Sequence, residues 1–202
     1  MLLAILAILL TLLVFYVNAN QGRNIQNQPS SPITPPGWIF SIWSIIYLFV
    51  IYILLQGLLH PSFWTGQRFF YYTFSCLFNI AWIVLFVQQQ NARLANFALL
   101  GLSISLFFFL QDVIRKPLPT LSPIWFQWIP LGIALYFGWT IMANLLNLSI
   151  NLQSKWFDDY APTLIAFLAV LLWFSSTNTI QKKWTWTFLL SVAWGYMGVL
   201  IR

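Results

Sequence analysis

The sequence predicts an all-α fold, a polytopic transmembrane bundle of about seven helices, and three observations predict it. Hydrophobic residues make up 60% of the 202-residue chain and charged residues only 6%, against roughly a quarter charged in soluble domains; the mean hydropathy is +0.80. The apolar residues are gathered into runs that approach or exceed the roughly 20 residues a helix needs to cross a 30 Å hydrocarbon core. No stretch alternates apolar and polar positions in the manner of a transmembrane β-strand, and the helix is the other backbone form that satisfies every peptide group inside lipid.

Seven runs emerge, at 2–19, 37–58, 69–88, 94–111, 124–150, 161–178 and 184–201. The first has the size of a signal peptide, and Val17-Asn18-Ala19 resembles a cleavage site, but no lysine or arginine precedes it. It is therefore read as a retained helix. Residues 20–36 form the longest polar loop, rich in Asn, Gln, Ser and Pro, expected to be irregular and to serve either as a connector or as a lid over the mouth of the second helix.

The second run opens with TPPGWIFSIWSIIY (Thr34–Tyr47). Thr34 suits an N-cap, Pro35 and Pro36 suit a first turn, and Phe40, Trp43 and Tyr47 at i, i+3 and i+7 share one helical face. The short connection 89–93 makes the third and fourth helices antiparallel neighbours. The 112–123 loop carries three prolines with Asp112, Arg115 and Lys116. Asp158 and Asp159 precede Ala161-Pro162, at the positive end of the sixth helix. Trp125, Trp128, Trp156, Trp184 and Trp186 lie near run ends, where an interfacial aromatic belt accounts for them.

A net charge of +6 and a pI of 9.7 do not point to nucleic acid, because the basic residues form no patch or stripe. They read as membrane orientation. Seven crossings put Arg68, Arg115, Lys116, Lys182 and Lys183 on the amino-terminal side and Arg23, Arg93, Lys155 and Arg202 on the other, which leans the N-terminus to the inside. The single cysteine, Cys76, excludes an intrachain disulfide.

No Asp, Glu, Lys, Arg or His falls within the seven runs as drawn. That argues against proton relays, ion pumps and voltage sensors. His60 and Cys76 cannot assemble a metal site, nor can an axial histidine hold haem within the bilayer. No Ser-His-Asp set or carboxylate pair can form at membrane depth, and the last helix has no lysine for a Schiff base. No residue is assigned as a conventional catalyst.

What the runs do hold is rings and amides. The second helix offers Phe40, Trp43 and Tyr47; the third offers Asn79, Trp82 and Phe86, again at i, i+3 and i+7; the fifth offers Trp139, Ala143 and Asn147 at i, i+4 and i+8, with Tyr136 one turn earlier and Asn144 alongside. An unpaired carboxamide is costly in hydrocarbon, so Asn79 and Asn147 should face the bundle interior. Each residue alone could be packing. Together they describe an aromatic pocket with a few fixed polar groups, suited to a flat, apolar, conjugated ligand, with the small Ala143 leaving room.

These motifs resemble the tryptophan-rich sensory protein/translocator protein family (TspO/MBR), five-helix membrane proteins. The resemblance rests on Pro35, Pro36, Trp38, Phe40, Trp43 and Tyr47, on Asn79, Trp82 and Phe86, and on Trp139, Ala143 and Asn147. Departures exist: Phe40 and Trp43 are one residue closer than in five-helix members, a G-P before that tryptophan is absent, and Pro130 lies further from Trp139. F-S-I-W-x-x-I-Y and the closing Ala193, Trp194, Gly198 and Arg202 are similar to a longer branch of the family. The resemblance implies a five-helix core at 1–150 and two additional helices at 151–202. It implies a pocket for tetrapyrroles, protoporphyrin or haem-like, or for sterols or synthetic ligands, with a sensing role and no covalent cofactor. Some members promote light-dependent porphyrin breakdown, and the tryptophans implicated there correspond to Trp43 and Trp139. Two other readings stand beside this one. The chain is a non-catalytic subunit of a membrane assembly, whether homodimer or larger complex, or a transporter of small apolar molecules; for the latter, neither an inverted repeat nor paired broken helices is present in the sequence.

Overall fold

The computed structural model describes residues 1–22, 33–89, 91–117, 121–155, 157 and 179–200, and these are helical wherever they are regular. Helix α1 is Leu2–Gly22, α2 is Ile42–Leu59, α3 is Gly66–Ile83, α4 is Ala92–Arg115, α5 is Trp128–Leu152 and α6 is Thr179–Leu200. A 3₁₀ turn, Gly37–Ser41, leads into α2, and a π turn, Val84–Gln88, prolongs α3. Helices α1 to α5, with these extensions, are long and apolar enough to cross a membrane. Helix α6 has 22 residues, about 33 Å at 1.5 Å per residue, but its Lys, Thr and Trp residues leave it less apolar than the others. The expected segment 161–178 lies outside the described residues, as do 23–32 of the first loop, Trp156, Asp158, Asp159 and Arg202.

Helix α5 is the hub, packing on α4, α6 and α2, while α3 packs on α4 and α1. Between helices in lipid there is little hydrophobic driving force, so small residues that let backbones approach do much of the joining. Gly138 of α5 shows this: a Cβ there would stand 2.7 Å from the Phe188 carbonyl oxygen of α6. The opposite surfaces are apolar and outward-facing, with Leu9, Leu12, Leu48, Phe70 and Phe97 all exposed. A bilayer, not water, is the solvent for such a surface.

Two sequence expectations are corrected. The proline pair does not sit in the first turn of α2, and Thr34 is not its N-cap. Pro36 is extended, with φ −61° and ψ 152°, and occupies the N-cap position of the 3₁₀ turn; proline also bars the residue before it from the helical region. Helices α3 and α4 also run past the drawn ends of the apolar runs and take in Arg68 and Asp112. Both are buried, with Arg68 Nε donating to Asp112 Oδ2 at 2.7 Å. Arg68 further donates to the Phe63 carbonyl at 3.2 Å and to the Lys116 carbonyl. An ionised pair is thus built into one end of the bundle, where the hydropathy pattern marked only a boundary.

Candidate functional site

Trp43, in the first turns of α2, is the centre of a cage contributed by three helices. Trp82 of α3 lies nearly parallel to it, with centroids 6.1 Å apart and planes inclined by 17°. From α5, Tyr136 meets it edge-on at 5.6 Å and Trp139 at 6.4 Å. Tyr47, one turn along α2, is tilted against it at 5.5 Å, and Phe40, one turn back, meets Trp139 edge-on at 5.7 Å. Phe86 extends the stack from Trp82 at 6.3 Å and sits within the π turn, a helical irregularity frequent at functional sites. Helical period alone puts each set on one face, and tertiary packing turns the three faces inward.

The polar groups divide into two kinds. Asn79, almost fully buried, accepts from Asn18 Nδ2 at 2.8 Å and donates to the Tyr136 hydroxyl at 2.8 Å, tying α1, α3 and α5 together. Asn144 donates to Ser103 at 3.0 Å and to the Thr140 carbonyl at 2.8 Å, so it joins α5 to α4. By contrast, the indole N–H of Trp82, the indole N–H of Trp139 and the Asn147 amide nitrogen are buried and have no acceptor among the described residues. Leaving a buried donor unmade costs about 1–3 kcal/mol. All three are donors that meet no acceptor among the described residues.

Ala143 and Asn147 follow Trp139 along α5 and are both buried. Trp38 is not brought into the cage: it is 47% exposed and stands against Trp194 instead. A cavity of about 30 Å³ adjoins the cage, lined by Tyr47, Asn79 and Tyr136 together with Thr11, Tyr72 and Cys76. That is room for a water or two. A flat guest enters the cage only by parting the rings by its own thickness of about 3.5 Å.

The contribution of α1 escaped sequence reasoning. Thr11, Phe15 and Asn18 stand at i, i+4 and i+7 on a helix that is aliphatic through most of its length. Thr11 hydrogen-bonds the Tyr72 hydroxyl, and Phe15 meets Tyr47 at 4.7 Å. Two polar residues on one stripe of an apolar span were the available signal.

The model of the TSPO-like protein family matches residues 1–202. The chain belongs to that family. No curated protein and no solved structure matches it. The TSPO-like match runs through α6 as well as the five long apolar spans, and with those spans it makes the chain an integral, multi-pass membrane protein of the TSPO kind. The cage of this TSPO-like protein offers π faces and N–H donors, and no carboxylate, imidazole or amine lies among its residues. Such a lining has the chemistry of stacking and hydrogen-bond donation, the kind that suits binding.

Proposed function

We propose that this membrane protein binds a flat, conjugated, largely apolar ligand with acceptor atoms on its edge, a tetrapyrrole such as protoporphyrin or a haem-like molecule, in a sensing or regulatory role. One observation carries the reading: the indole donors of Trp82 and Trp139, whose rings wall the aromatic cage, and the Asn147 amide further along α5 are buried without an acceptor among the described residues. Ring faces supply stacking for a macrocycle, and carboxylate or carbonyl oxygens on its rim would satisfy the nitrogens. The reading places binding in the core at 1–150 and treats 151–202 as an added unit. If bound porphyrin is broken down in light, the excited macrocycle and oxygen supply the reactivity, and Trp43 and Trp139 are the nearby electron donors.

Titration of the purified protein with protoporphyrin IX tests this, read by the porphyrin absorption band and by tryptophan fluorescence. Saturable binding that weakens in Trp139→Phe and Asn147→Leu supports it. Partitioning that never saturates, unchanged in both variants, removes it. Direct ring-to-ring contact and the small cavity favour a second reading, a packing subunit of a homodimer or larger membrane complex, whose mark is the absence of saturable binding together with isolation as a stoichiometric assembly.

A further inference from the structure

The last helix reaches back to the mouth of the cage. Trp194 Nε1 of α6 donates to the Ile39 carbonyl at 2.8 Å across 155 residues of chain. The same oxygen accepts from the Ile42 N–H, so both of its lone pairs are used. The Trp194 ring meets Trp38 edge-on at 5.5 Å and 87°. One turn further, Gly198 lies so close that a Cβ would stand 2.4 Å from the Ile39 side chain and 2.8 Å from that of Pro35.

Ile39 belongs to the 3₁₀ turn that opens α2 and is completely buried. Its neighbour Phe40 touches Trp139, and Trp43 follows within a turn. Within the turn the Ile39 N–H donates to the Pro36 carbonyl at 3.0 Å, and the Ile39 side chain packs with Ile42, Ile46 and Trp139. A 3₁₀ turn has poorer hydrogen-bond geometry than an α-helix, and Pro35 and Pro36 have no N–H to donate.

We infer that Trp194 is a positioning residue for the aromatic cage: its indole N–H and ring hold the Gly37–Ser41 turn, and through it keep Phe40 and Trp43 against Trp139. Helix α6 thereby sets the geometry of a wall that α2 supplies. The consequence for binding rests on the tetrapyrrole reading above; the clasp itself does not.

The test uses the full-length protein in mild detergent, comparing wild type, Trp194→Phe and Trp194→His. The phenyl ring keeps an aromatic surface without the donor, whereas imidazole keeps a ring N–H. Amide hydrogen exchange over residues 37–43 should quicken roughly three- to tenfold in Trp194→Phe, the equivalent of one net hydrogen bond. Exchange in α3 and α4 should not move, and Trp194→His should recover part of the protection. With protoporphyrin IX, Trp194→Phe should weaken binding by a similar factor and change the induced circular dichroism of the porphyrin, which a loss of overall stability alone would not do. Unchanged exchange at 37–43 overturns the clasp whatever the ligand does. Equal affinity and an identical dichroism spectrum in wild type and Trp194→Phe overturn its role in positioning. If wild type shows no saturable binding, the tetrapyrrole reading fails while the exchange result still decides the clasp. Should Trp194→Phe not fold, Gly198→Ala, which presses α6 away from Ile39 while keeping the indole, must speed exchange over the same residues or the inference is lost.

Discussion

Trp43 and Trp82, on different helices, lie with ring planes only 17° from parallel and centroids 6.1 Å apart, and each has a further aromatic partner beyond the pair, Trp139 for Trp43 and Phe86 for Trp82. The row ties α2, α3 and α5 through aromatic contacts worth about 0.5–1.5 kcal/mol each beyond area burial. Trp43 is the residue in the middle and is only half-buried. Trp43→Ala should therefore cost about 3 kcal/mol, the low end for truncating a large aromatic, measured by denaturant unfolding in detergent. In the same variant, saturable porphyrin binding should fall by more than about tenfold, because the loss of one such side chain from a cage removes on the order of 1.4 kcal/mol or more of contact.

The faces of α2, α3 and α5 were legible in the sequence because helical period is a local property: Trp43 and Tyr47, Asn79 and Trp82, or Trp139 and Asn147 share a stripe whatever surrounds them. What surrounds them was not legible. The sequence could not say that Trp43, Trp82 and Trp139 would touch and leave a cavity of about 30 Å³ beside them, since that volume depends on how rotamers from three helices interlock. Arg68 and Asp112 escaped for another reason. They lie 44 residues apart, each at the polar edge of an apolar run, and hydropathy averages over such edges instead of showing who meets whom. Trp38 shares the second helix's motif with Phe40 and Trp43, yet it faces Trp194 because a 3₁₀ turn advances side chains by a different angle from an α-helix.

The Arg68–Asp112 pair gives a prediction about stability. Both side chains are almost fully buried, and Lys116 joins them with Nζ 2.8 Å from Asp112 Oδ1. Asp112→Ala leaves a guanidinium buried without its carboxylate, and breaking a buried pair in that way costs about 3–5 kcal/mol. The double variant Arg68→Met/Asp112→Leu, which removes both charges and fills the space, should recover most of that loss. Thermal unfolding in one detergent compares the three proteins, and a double variant as unstable as Asp112→Ala would contradict the desolvation argument.

Asn79 gives a prediction about coupling. Its carboxamide is shared between Asn18 and Tyr136, and hydrogen bonds between membrane helices average about 0.6 kcal/mol with a maximum near 1.7. In a double-mutant cycle of Asn79→Leu and Tyr136→Phe, the interaction energy should fall in that range. A value indistinguishable from zero would mean the bond exchanges freely with other partners.

Gly138 carries the joint between α5 and α6. A Cβ at this position would stand 2.7 Å from the Phe188 carbonyl and 3.0 Å from the Ser191 Cβ. The nearer obstacle is backbone, so it cannot be relieved by a rotamer change, and α6 itself must shift. Gly66, in the first turn of α3, is the natural control, because a Cβ there meets nothing within 4 Å. Gly66→Ala should be neutral or slightly stabilising, by no more than the helix-propensity difference of about 1 kcal/mol. Gly138→Ala should cost about 1–3 kcal/mol, as overpacking does, and should also quicken amide exchange in α6 before it affects α3 or α4. If Gly138→Ala and Gly66→Ala behave alike in both measurements, α6 is not held to the bundle through this contact.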